Sequence, residues 1–186
     1  ILMSYNFLDK IYKSNSYSNS KDLYQKWAPS YDDELTENKY VTPLRCAQIL
    51  SNYIKNKNIK ILDIGCGTGL SGFALKKNGF KSIDGLDLSE EMLKIAEQKK
   101  IYQSLFNFDL NNPTDFNHKY DAIIAAGVIS PKHANPDTII SSYSMLKKKG
   151  LMIFSINDHA LNDSLFFNSI KKAARAALNK KLRFNC

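Results

Sequence analysis

Short apolar runs alternate along the chain with longer segments in which apolar residues recur every three to four positions. Runs of about four to eight mostly apolar residues predict buried β-strands, and the longer period predicts amphipathic helices. The strands predicted in this way are residues 60–64, 82–88, 103–108, 120–126 and 151–156. The fourth strand is almost continuously apolar after Asp121, which is typical of a strand buried on both faces.

Helices are predicted between these strands. The first covers residues 43–56, where apolar residues recur at helical spacing. The other boundaries come from capping residues: an end at Asn78-Gly79, a start at Ser89, a start at Asn135-Pro136 with an end at residues 147–150, and a start at Asn162 or Asp163. Such alternation predicts an α/β fold, a Rossmann-like, doubly wound, mostly parallel sheet with helices on both faces.

Three closely spaced glycines, Gly65, Gly67 and Gly69, follow the first strand and precede a helical pattern. Glycine permits positive φ angles in a tight turn, and without a Cβ atom it lets a ligand lie against the backbone. The free N–H groups at the start of the next helix then face the ligand as a partial positive charge. The pattern therefore predicts a binding loop for a nucleotide-type ligand.

Other candidate residues stand at the carboxyl ends of later strands, where ligands bind in doubly wound sheets. Asp87 ends the second strand, Asp109 follows the third and Gly127 follows the fourth. Because parallel strands end at one edge of the sheet, we expect these residues to lie near the glycine loop.

Two ligands compete for this loop. Residues 67–72 satisfy the dinucleotide pattern G-x-G-x-x-G, which favours a nicotinamide cofactor. However, the turn begins earlier, at Gly65, and Asp63 lies inside the preceding strand, where a carboxylate would repel a pyrophosphate. The same carboxylate can hydrogen-bond loop N–H groups and attract a cation. It therefore suits S-adenosylmethionine, which carries an ammonium and a sulfonium.

Residues 63–69, DIGCGTG, resemble the D-x-G-x-G-x-G signature of the class I S-adenosylmethionine-dependent methyltransferases. Further resemblances to that family lie at residues 85–93, 108–110, 120–124 and 146–154, and together they extend from about residue 24 to residue 158. Residues 27–32 and Ser130-Pro131 resemble small bacterial methyltransferases related to the Williams–Beuren-region methyltransferase-like proteins.

The resemblance implies a cofactor role for each matched residue. Asp87 would accept hydrogen bonds from the ribose hydroxyls, and Asp109 would accept one from the adenine amino group, with the backbone of Leu110 nearby. The other residues implied at the cofactor are Asp63, Gly65, Cys66, Gly67, Gly69, Leu88, Met92 and Gly127. For the acids the structural alternative is an ordinary strand-end or turn residue, and Leu88 and Met92 fit the core equally well.

Methyl transfer from S-adenosylmethionine is an in-line displacement, and a general base is needed only for an alcohol or ammonium acceptor. The candidate bases are His133, in the loop after strand four, and Asp158 with His159, after strand five. Each of these is otherwise an ordinary polar surface residue. Tyr31 is a further candidate, because it belongs to an aromatic segment able to reach the methyl group or simply to pack.

The 186 residues suffice for one domain, at residues 41–186, preceded by an aromatic segment at residues 1–40. That segment is expected to be a lid over a pocket or a flap packed on the core. The family also has two further strands, an antiparallel hairpin after the last helix, for which this sequence has no room. We therefore expect a truncated domain with strand five at an exposed edge.

The net charge of +8 raises the possibility of nucleic-acid binding. The lysines are scattered at predicted helix ends, where cations complement the helix dipole, which argues against nucleic-acid binding. The short N-terminal segment leaves little protein for recognising a macromolecule, so a small-molecule acceptor is favoured. There is no apolar run of the roughly 20 residues that a membrane helix needs. Three cysteines without metal-binding spacing indicate reduced thiols in the cytoplasm. The alternatives are a non-catalytic module that binds S-adenosylmethionine or RNA, and a nicotinamide-dependent oxidoreductase.

Overall fold

The computed structural model describes residues 23–109, 116–130 and 134–183, with side chains as far as residue 177. Residues 23–27 are helical and lead into a 3-10 turn, Ala28–Ser30. The strands are β1 Lys60–Ile64, β2 Ser82–Asp87, β3 Ser104–Asn107, β4 Tyr120–Ala125 and β5 Leu146–Phe154. The helices are α1 Tyr31–Glu37, α2 Thr42–Tyr53, α3 Leu70–Lys77, α4 Glu90–Gln98, α5 Asp137–Ser144, α6 Asp158–Asn162 and α7 Ser164–Arg183.

The five strands form one parallel sheet in the order β3-β2-β1-β4-β5. From β1 the chain winds outward through β2 to β3, then returns to the other side of β1 for β4 and β5. The strand order therefore reverses between β1 and β4, which is where ligands bind in such sheets. The predicted α/β, doubly wound fold is confirmed.

Alternate residues of each strand face opposite layers of the core. On one face, Ile61, Ile83 and Ile124 pack against Leu50 of α2 and Leu75 of α3. On the other face a second cluster contains Leu62, Ile64, Leu86, Ile123, Ala125, Met145 and Leu146. Both clusters are buried, so helices and connections cover the sheet on both sides.

Several predicted helix boundaries are confirmed by their caps. The Ser89 hydroxyl accepts the N–H of Met92 at 3.3 Å, and α4 begins at the next residue. Gly79 has a φ of +90° two residues after the end of α3. The Asp163 carboxylate accepts the N–H of Phe166 at 3.0 Å and caps α7. The short helix α6 was not predicted.

The prediction for residues 147–150 is wrong. These residues do not end a helix, because α5 stops at Ser144 and β5 already begins at Leu146. Tyr120 pairs with Leu146 and Ala122 pairs with Leu151, so the lysine run forms a bulge inside the strand. A Cβ atom at Gly150 would lie 3.0 Å from the carbonyl oxygen of Asp121, and glycine is therefore what lets the bulge close. The periodicity of the sequence could not detect the pairing of these residues with β4, because the two paired segments are distant in sequence.

The final helix, α7, is 20 residues long and packs against the domain through Ile170, Ala173 and Ala177. None of the described helices combines the length and apolar character needed to cross a bilayer. Among the described residues, β5 pairs with β4 alone and forms one edge of the sheet.

Candidate active site

The glycine loop connects β1 to α3 in a sharply turned conformation. Gly65, Gly67 and Gly69 have φ angles of +62°, +53° and +100°. The N–H of Gly69 donates to the carbonyl of Cys66 at 2.9 Å and closes the turn, while the N–H of Cys66 donates to Leu86 of β2 at 3.0 Å. The predicted left-handed turn is therefore present, and it is anchored to the neighbouring strand.

The surroundings of the loop glycines differ. A Cβ atom at Gly65 would lie 2.5 Å from the Val128 side chain, so the segment after β4 packs directly against the start of the loop. Apart from its two chain neighbours, a Cβ atom at Gly67 would meet no atom of the described residues within 4 Å. The loop is therefore supported by protein at Gly65 and has open space beside its backbone at Gly67.

Asp87, at the end of β2, binds this open part of the loop. One carboxylate oxygen accepts the N–H of Gly67 at 2.8 Å, and the other accepts the N–H of Ser89 at 2.8 Å. Burial raises the pKa of Asp87, and the N–H groups of Ser89, Gly67 and Leu88 oppose that rise. The predicted proximity of the strand-two acid and the glycine loop is thus confirmed.

Asp63 is fully buried inside β1. Its Oδ2 atom accepts hydrogen bonds from the hydroxyls of Ser71, at 2.6 Å, and Tyr102, at 2.7 Å. Its Oδ1 atom is buried without a hydrogen-bond partner among the described residues. The pKa of Asp63 is raised to about 7. Burial is the main cause and the neighbouring charge of Asp87 adds to it, while the two hydroxyls act in the opposite direction. The site therefore contains an incompletely satisfied carboxyl group, to which a cation would be a favourable neighbour.

Tyr102 completes the support of the loop and was not identified from the sequence. Its ring lies so close to three glycines that a Cβ atom would approach it to 3.3 Å at Gly69, 2.4 Å at Gly72 and 3.1 Å at Gly85. Glycine in the interior of a helix or strand often marks such a close approach. Gly72 and Gly85 were therefore the available sequence signal, although neither indicates which residue approaches.

The N-terminal aromatic segment, here defined as residues 23–40, lies against the same edge of the sheet. Trp27 is 1% exposed, stacks on Tyr24 at a centroid distance of 5.7 Å and contacts Tyr31 edge to face at 4.5 Å. This cluster packs on Leu70, the first residue of α3. The segment is packed on the core next to the glycine loop, as expected for a flap, and its role as a lid over a pocket stays a prediction.

Two tyrosines of this segment lie near the strand ends. Tyr31 is half-buried, and its pKa is raised well above the ordinary value by burial of the phenol and then by the neighbouring Tyr24, Tyr40, Asp87 and Asp32. The hydroxyl of Tyr40 lies 2.3 Å from the position that a Cβ atom would take at Gly127. The absence of a side chain at Gly127 therefore admits Tyr40, and the segment reaches both the β2 and β4 sides of the site.

The remaining predicted residues are distributed as follows. Asp109 lies two residues beyond the end of β3. The N–H of the preceding residue, Phe108, donates to the backbone carbonyl of Asp87 at 3.0 Å, which keeps this part of the chain next to the end of β2. Leu88 is half-buried, whereas Met92 is 1% exposed. Asp158 and His159 are exposed in α6. Leu110 and His133 lie outside the described residues.

A family model described as a methyltransferase domain matches residues 39–184, most of the chain and every strand of this sheet. The chain belongs to the class I S-adenosylmethionine-dependent methyltransferases. This assignment decides between the two ligands considered for the glycine loop, because the cofactor of this family is S-adenosylmethionine.

Individual relatives support the assignment. The chain is 28% identical over 145 residues to methyltransferase-like protein 27 of Homo sapiens, covering 75% of this chain and 58% of that protein. It is 30% identical over 138 residues to the malonyl-[acyl-carrier protein] O-methyltransferase of Priestia megaterium, covering 73% and 50% respectively. The chain thus spans little more than half the length of these curated relatives.

Among solved structures, an S-adenosylmethionine-dependent methyltransferase from Clostridium acetobutylicum superimposes on this methyltransferase with a TM-score of 0.56. The two are 27% identical, and the match covers 76% of this chain and 61% of that one.

The residues at the site fit the family's cofactor. Gly67 has room beside its backbone, and the Asp87 carboxylate, which has about four acceptor positions, keeps capacity beyond the N–H groups that it binds. The Oδ1 atom of Asp63, buried and without a hydrogen-bond partner in the described part of the chain, is an acceptor that a nearby cation would help to ionise. In this methyltransferase an open backbone, a free acceptor and a buried acid therefore occur together at one edge of the sheet.

The pKa of Asp63 leads to a prediction about stability. Because the native carboxyl keeps its proton up to about pH 7, whereas the unfolded chain releases it near the ordinary value of 3.8, the free energy of unfolding falls as the pH rises through this interval. The expected slope is about 1.4 kcal/mol per pH unit for this single proton. Urea unfolding of the wild type and Asp63→Asn between about pH 5 and pH 8 measures it, and the variant should lose this component.

Asp121→Asn is the matched control. The pKa of Asp121 is lowered by its hydrogen bonds from Lys60 and Lys147, despite partial burial, so this group stays ionised in both states throughout that interval. Its replacement should leave the slope unchanged. An Asp63→Asn protein with the wild-type slope would show that the Asp63 carboxyl is ionised in the native state.

Proposed function

We propose that this methyltransferase transfers the methyl group of S-adenosylmethionine to a small-molecule acceptor. The contact between Asp87 and the N–H of Gly67, at 2.8 Å beside a backbone with open space around it, carries the assignment of the cofactor, and the cover described below carries that of a small acceptor. The Asp87 contact places an acceptor for sugar hydroxyls next to accessible backbone, which is the combination that an adenosyl ligand requires.

Each residue of the site then has a role in holding the cofactor. Asp87 binds the ribose hydroxyls, Asp109 binds the adenine amino group, and the loop at Gly65 and Gly67 lies against the ligand. The positive charge of a bound cofactor near β1 would lower the raised pKa of Asp63 and so favour the ionised carboxylate. When bound, S-adenosylmethionine supplies an electrophilic methyl group on a positively charged sulfur, open to in-line displacement by the acceptor.

The protein contributes alignment and the exclusion of water. We assign both to the cover formed by the N-terminal aromatic segment over the cofactor-binding domain of residues 41–186. Trp27 anchors the cover by its burial, Tyr31 lies within electrostatic range of Asp87, and Tyr40 contacts Gly127. A covered site of this kind favours a compact acceptor over an extended macromolecular one.

The protonation state of Tyr31 bears on its role. Its raised pKa keeps the phenol neutral at physiological pH, so the hydroxyl is available as a hydrogen-bond donor and does not serve as a base. We therefore assign Tyr31 to positioning. For an alcohol or ammonium acceptor, the proposed bases are Asp158, His159 and His133.

Charge pairing also favours a small-molecule acceptor over nucleic acid. Lys60 pairs with Asp84 at 3.0 Å, Lys147 pairs with Asp121 at 3.0 Å, and Lys99 pairs with Asp32. Lysines engaged in this way contribute less to phosphate binding than free ones would.

We place the protein in the cytoplasm. The buried, free thiols of Cys46 and Cys66 are suited to a reducing compartment. Burial raises the pKa of Cys46 to about 11, which keeps that thiol protonated and unreactive.

The experiment that tests the function combines binding with transfer. Calorimetry should detect binding of S-adenosylhomocysteine and no heat with NADH. Incubation with methyl-labelled S-adenosylmethionine and a cell extract should then place label in the small-molecule fraction after filtration. Asp87→Ala, run in parallel, should reduce the label strongly.

The other outcomes overturn specific parts of the proposal. Heat with NADH alone would make the protein a nicotinamide enzyme. Label in the protein or RNA fraction would reject the small-molecule acceptor and leave the methyltransferase assignment intact. Binding of S-adenosylhomocysteine without transfer to any fraction would favour a non-catalytic binding module.

A further inference from the structure

Asp32 connects three separate parts of the molecule. It lies in the first turn of α1, next to Tyr31, within the aromatic segment. Its Oδ1 atom accepts a hydrogen bond from the hydroxyl of Thr68 at 2.5 Å. Its Oδ2 atom pairs with the ammonium of Lys99, at the end of α4. One carboxylate therefore joins the aromatic segment, the glycine loop and α4.

Its two partners are in different environments. Thr68 lies between Gly67 and Gly69 and is 1% exposed, so its hydroxyl is withdrawn from water and needs a partner inside the protein. The side chains of Lys99 and Asp32 are 28% and 35% exposed. Lys99 also stands at the C-terminal end of α4, where a cation is stabilised by the helix dipole. Neither group is a freely solvated surface residue.

We propose that Asp32 is a positioning residue for the cofactor site, and that its bonds to Thr68 and Lys99 hold the aromatic segment closed over the glycine loop. This inference rests on the proposed function and extends it to how the cofactor is retained. The cofactor must enter and leave at the edge that the segment covers, so the segment has to open. Asp32 sets how rarely that happens, because opening separates its carboxylate from both partners.

The affinity for the cofactor depends on the fraction of molecules in which the aromatic segment is closed. The closed segment places Tyr31 beside Asp87, and loss of the Asp32 bonds lowers the fraction of molecules in that arrangement. The apparent affinity for the cofactor falls in proportion to that fraction. Because ligand release requires opening, the larger effect is on the dissociation rate. A surface ion pair with only a structural role would contribute little to either quantity.

Trp27 allows the opening to be measured directly. It is the single tryptophan of the chain and is 1% exposed within the aromatic segment. Acrylamide quenching of its fluorescence therefore reports how often the segment opens. Release of S-adenosylhomocysteine, followed by stopped flow after dilution or competition, reports the effect on cofactor retention.

The matched variants are Asp32→Ala and Asp33→Ala. Asp33 is exposed in the same turn of α1, which makes it the control for charge and helix propensity. We expect Asp32→Ala to raise both the Trp27 quenching constant and the S-adenosylhomocysteine dissociation rate about tenfold. Asp33→Ala should change each by less than about twofold.

A second pair of variants tests the contact from the loop side. Thr68→Val removes the hydroxyl while keeping the shape of the side chain, and Thr68→Ser retains the hydroxyl. We expect Thr68→Val to reproduce the Asp32→Ala effects and Thr68→Ser to restore wild-type quenching. The double variant Lys99→Met/Asp32→Ala should have nearly the same quenching constant and dissociation rate as Asp32→Ala alone, because both substitutions remove the same ion pair.

The outcomes separate this inference from the proposed function. Wild-type quenching in Asp32→Ala, or equal changes in Asp32→Ala and Asp33→Ala, would overturn the positioning role even if the cofactor binds. If the wild type does not bind S-adenosylhomocysteine, the proposed function fails, and the quenching series still decides whether Asp32 closes the segment. Should Asp32→Ala fail to fold, the Thr68→Val and Lys99→Met proteins decide by the same two measurements.

Discussion

Asp87→Ala is expected to weaken binding of S-adenosylmethionine about 30-fold or more, corresponding to about 2 kcal/mol for lost hydrogen bonds to a charged group. The substitution removes the acceptor assigned to the ribose hydroxyls. It also releases the N–H groups of Gly67 and Ser89, which the carboxylate now holds at 2.8 Å each. Cofactor binding and loop order should therefore be lost together. Isothermal titration calorimetry with S-adenosylhomocysteine measures the effect, and circular dichroism checks the fold.

Asp121→Asn serves as the control here as well. Its carboxylate accepts a backbone N–H, from Lys60 at 2.8 Å, but it lies near the start of β4, at the opposite end of the sheet. The affinity of the Asp121→Asn protein for S-adenosylhomocysteine should match that of the wild type. A folded Asp87→Ala protein that also binds with wild-type affinity would remove Asp87 from the site.

Gly67→Ala is the second substitution for which we expect a large effect, and it separates binding from folding. The φ angle of +53° costs alanine about 1–2 kcal/mol, so the domain should fold with a modest loss of stability. Beyond the adjacent residues, the new methyl group meets no atom within 4 Å in the part of the chain that the structure describes, and it enters the space that we assign to the cofactor. We expect affinity for S-adenosylhomocysteine to fall at least about tenfold, because a steric clash adds to the altered backbone.

Gly79→Ala provides the comparison for backbone strain alone. Gly79 has a φ of +90° after α3, and the nearest atom to a Cβ there is 3.6 Å away on the Lys57 side chain. Both variants should therefore lose stability in thermal unfolding, whereas only Gly67→Ala should lose affinity. Equal affinity in the two variants would show that the space beside Gly67 does not hold the cofactor.

Predictions from the sequence were most successful where a single local property decided the outcome. Positive φ at the loop glycines, the Ser89 cap and the proximity of Asp87 to the loop each follow from a few adjacent residues and the direction of parallel strands. Partnerships made across the fold were not predicted. The hydroxyls of Ser71 and Tyr102 bind Asp63 and were not predicted, whereas the N–H of Gly72 interacts with it in the way that the sequence had suggested for backbone groups.

The lysine run at residues 147–149 illustrates a different limit. Cations followed by glycine are typical of a helix end, and the local pattern has no means of excluding that interpretation. The pairing of Leu146 with Tyr120 and the ion pair between Lys147 and Asp121 draw the segment into β5 instead. Contacts between residues far apart in sequence overrode a local preference of modest size.

The sequence by itself determined the alternation of strands and helices, the position of the glycine turn and the acids at the strand ends, because these depend on periodicity and backbone freedom over a few residues. Only the tertiary structure decided that Tyr102 supports the loop, that Asp32 joins the aromatic segment to Thr68 and Lys99, and that Asp63 is buried with one oxygen unsatisfied. The physical reason is that hydrogen bonding, burial and desolvation depend on which distant residues become neighbours when the sheet assembles.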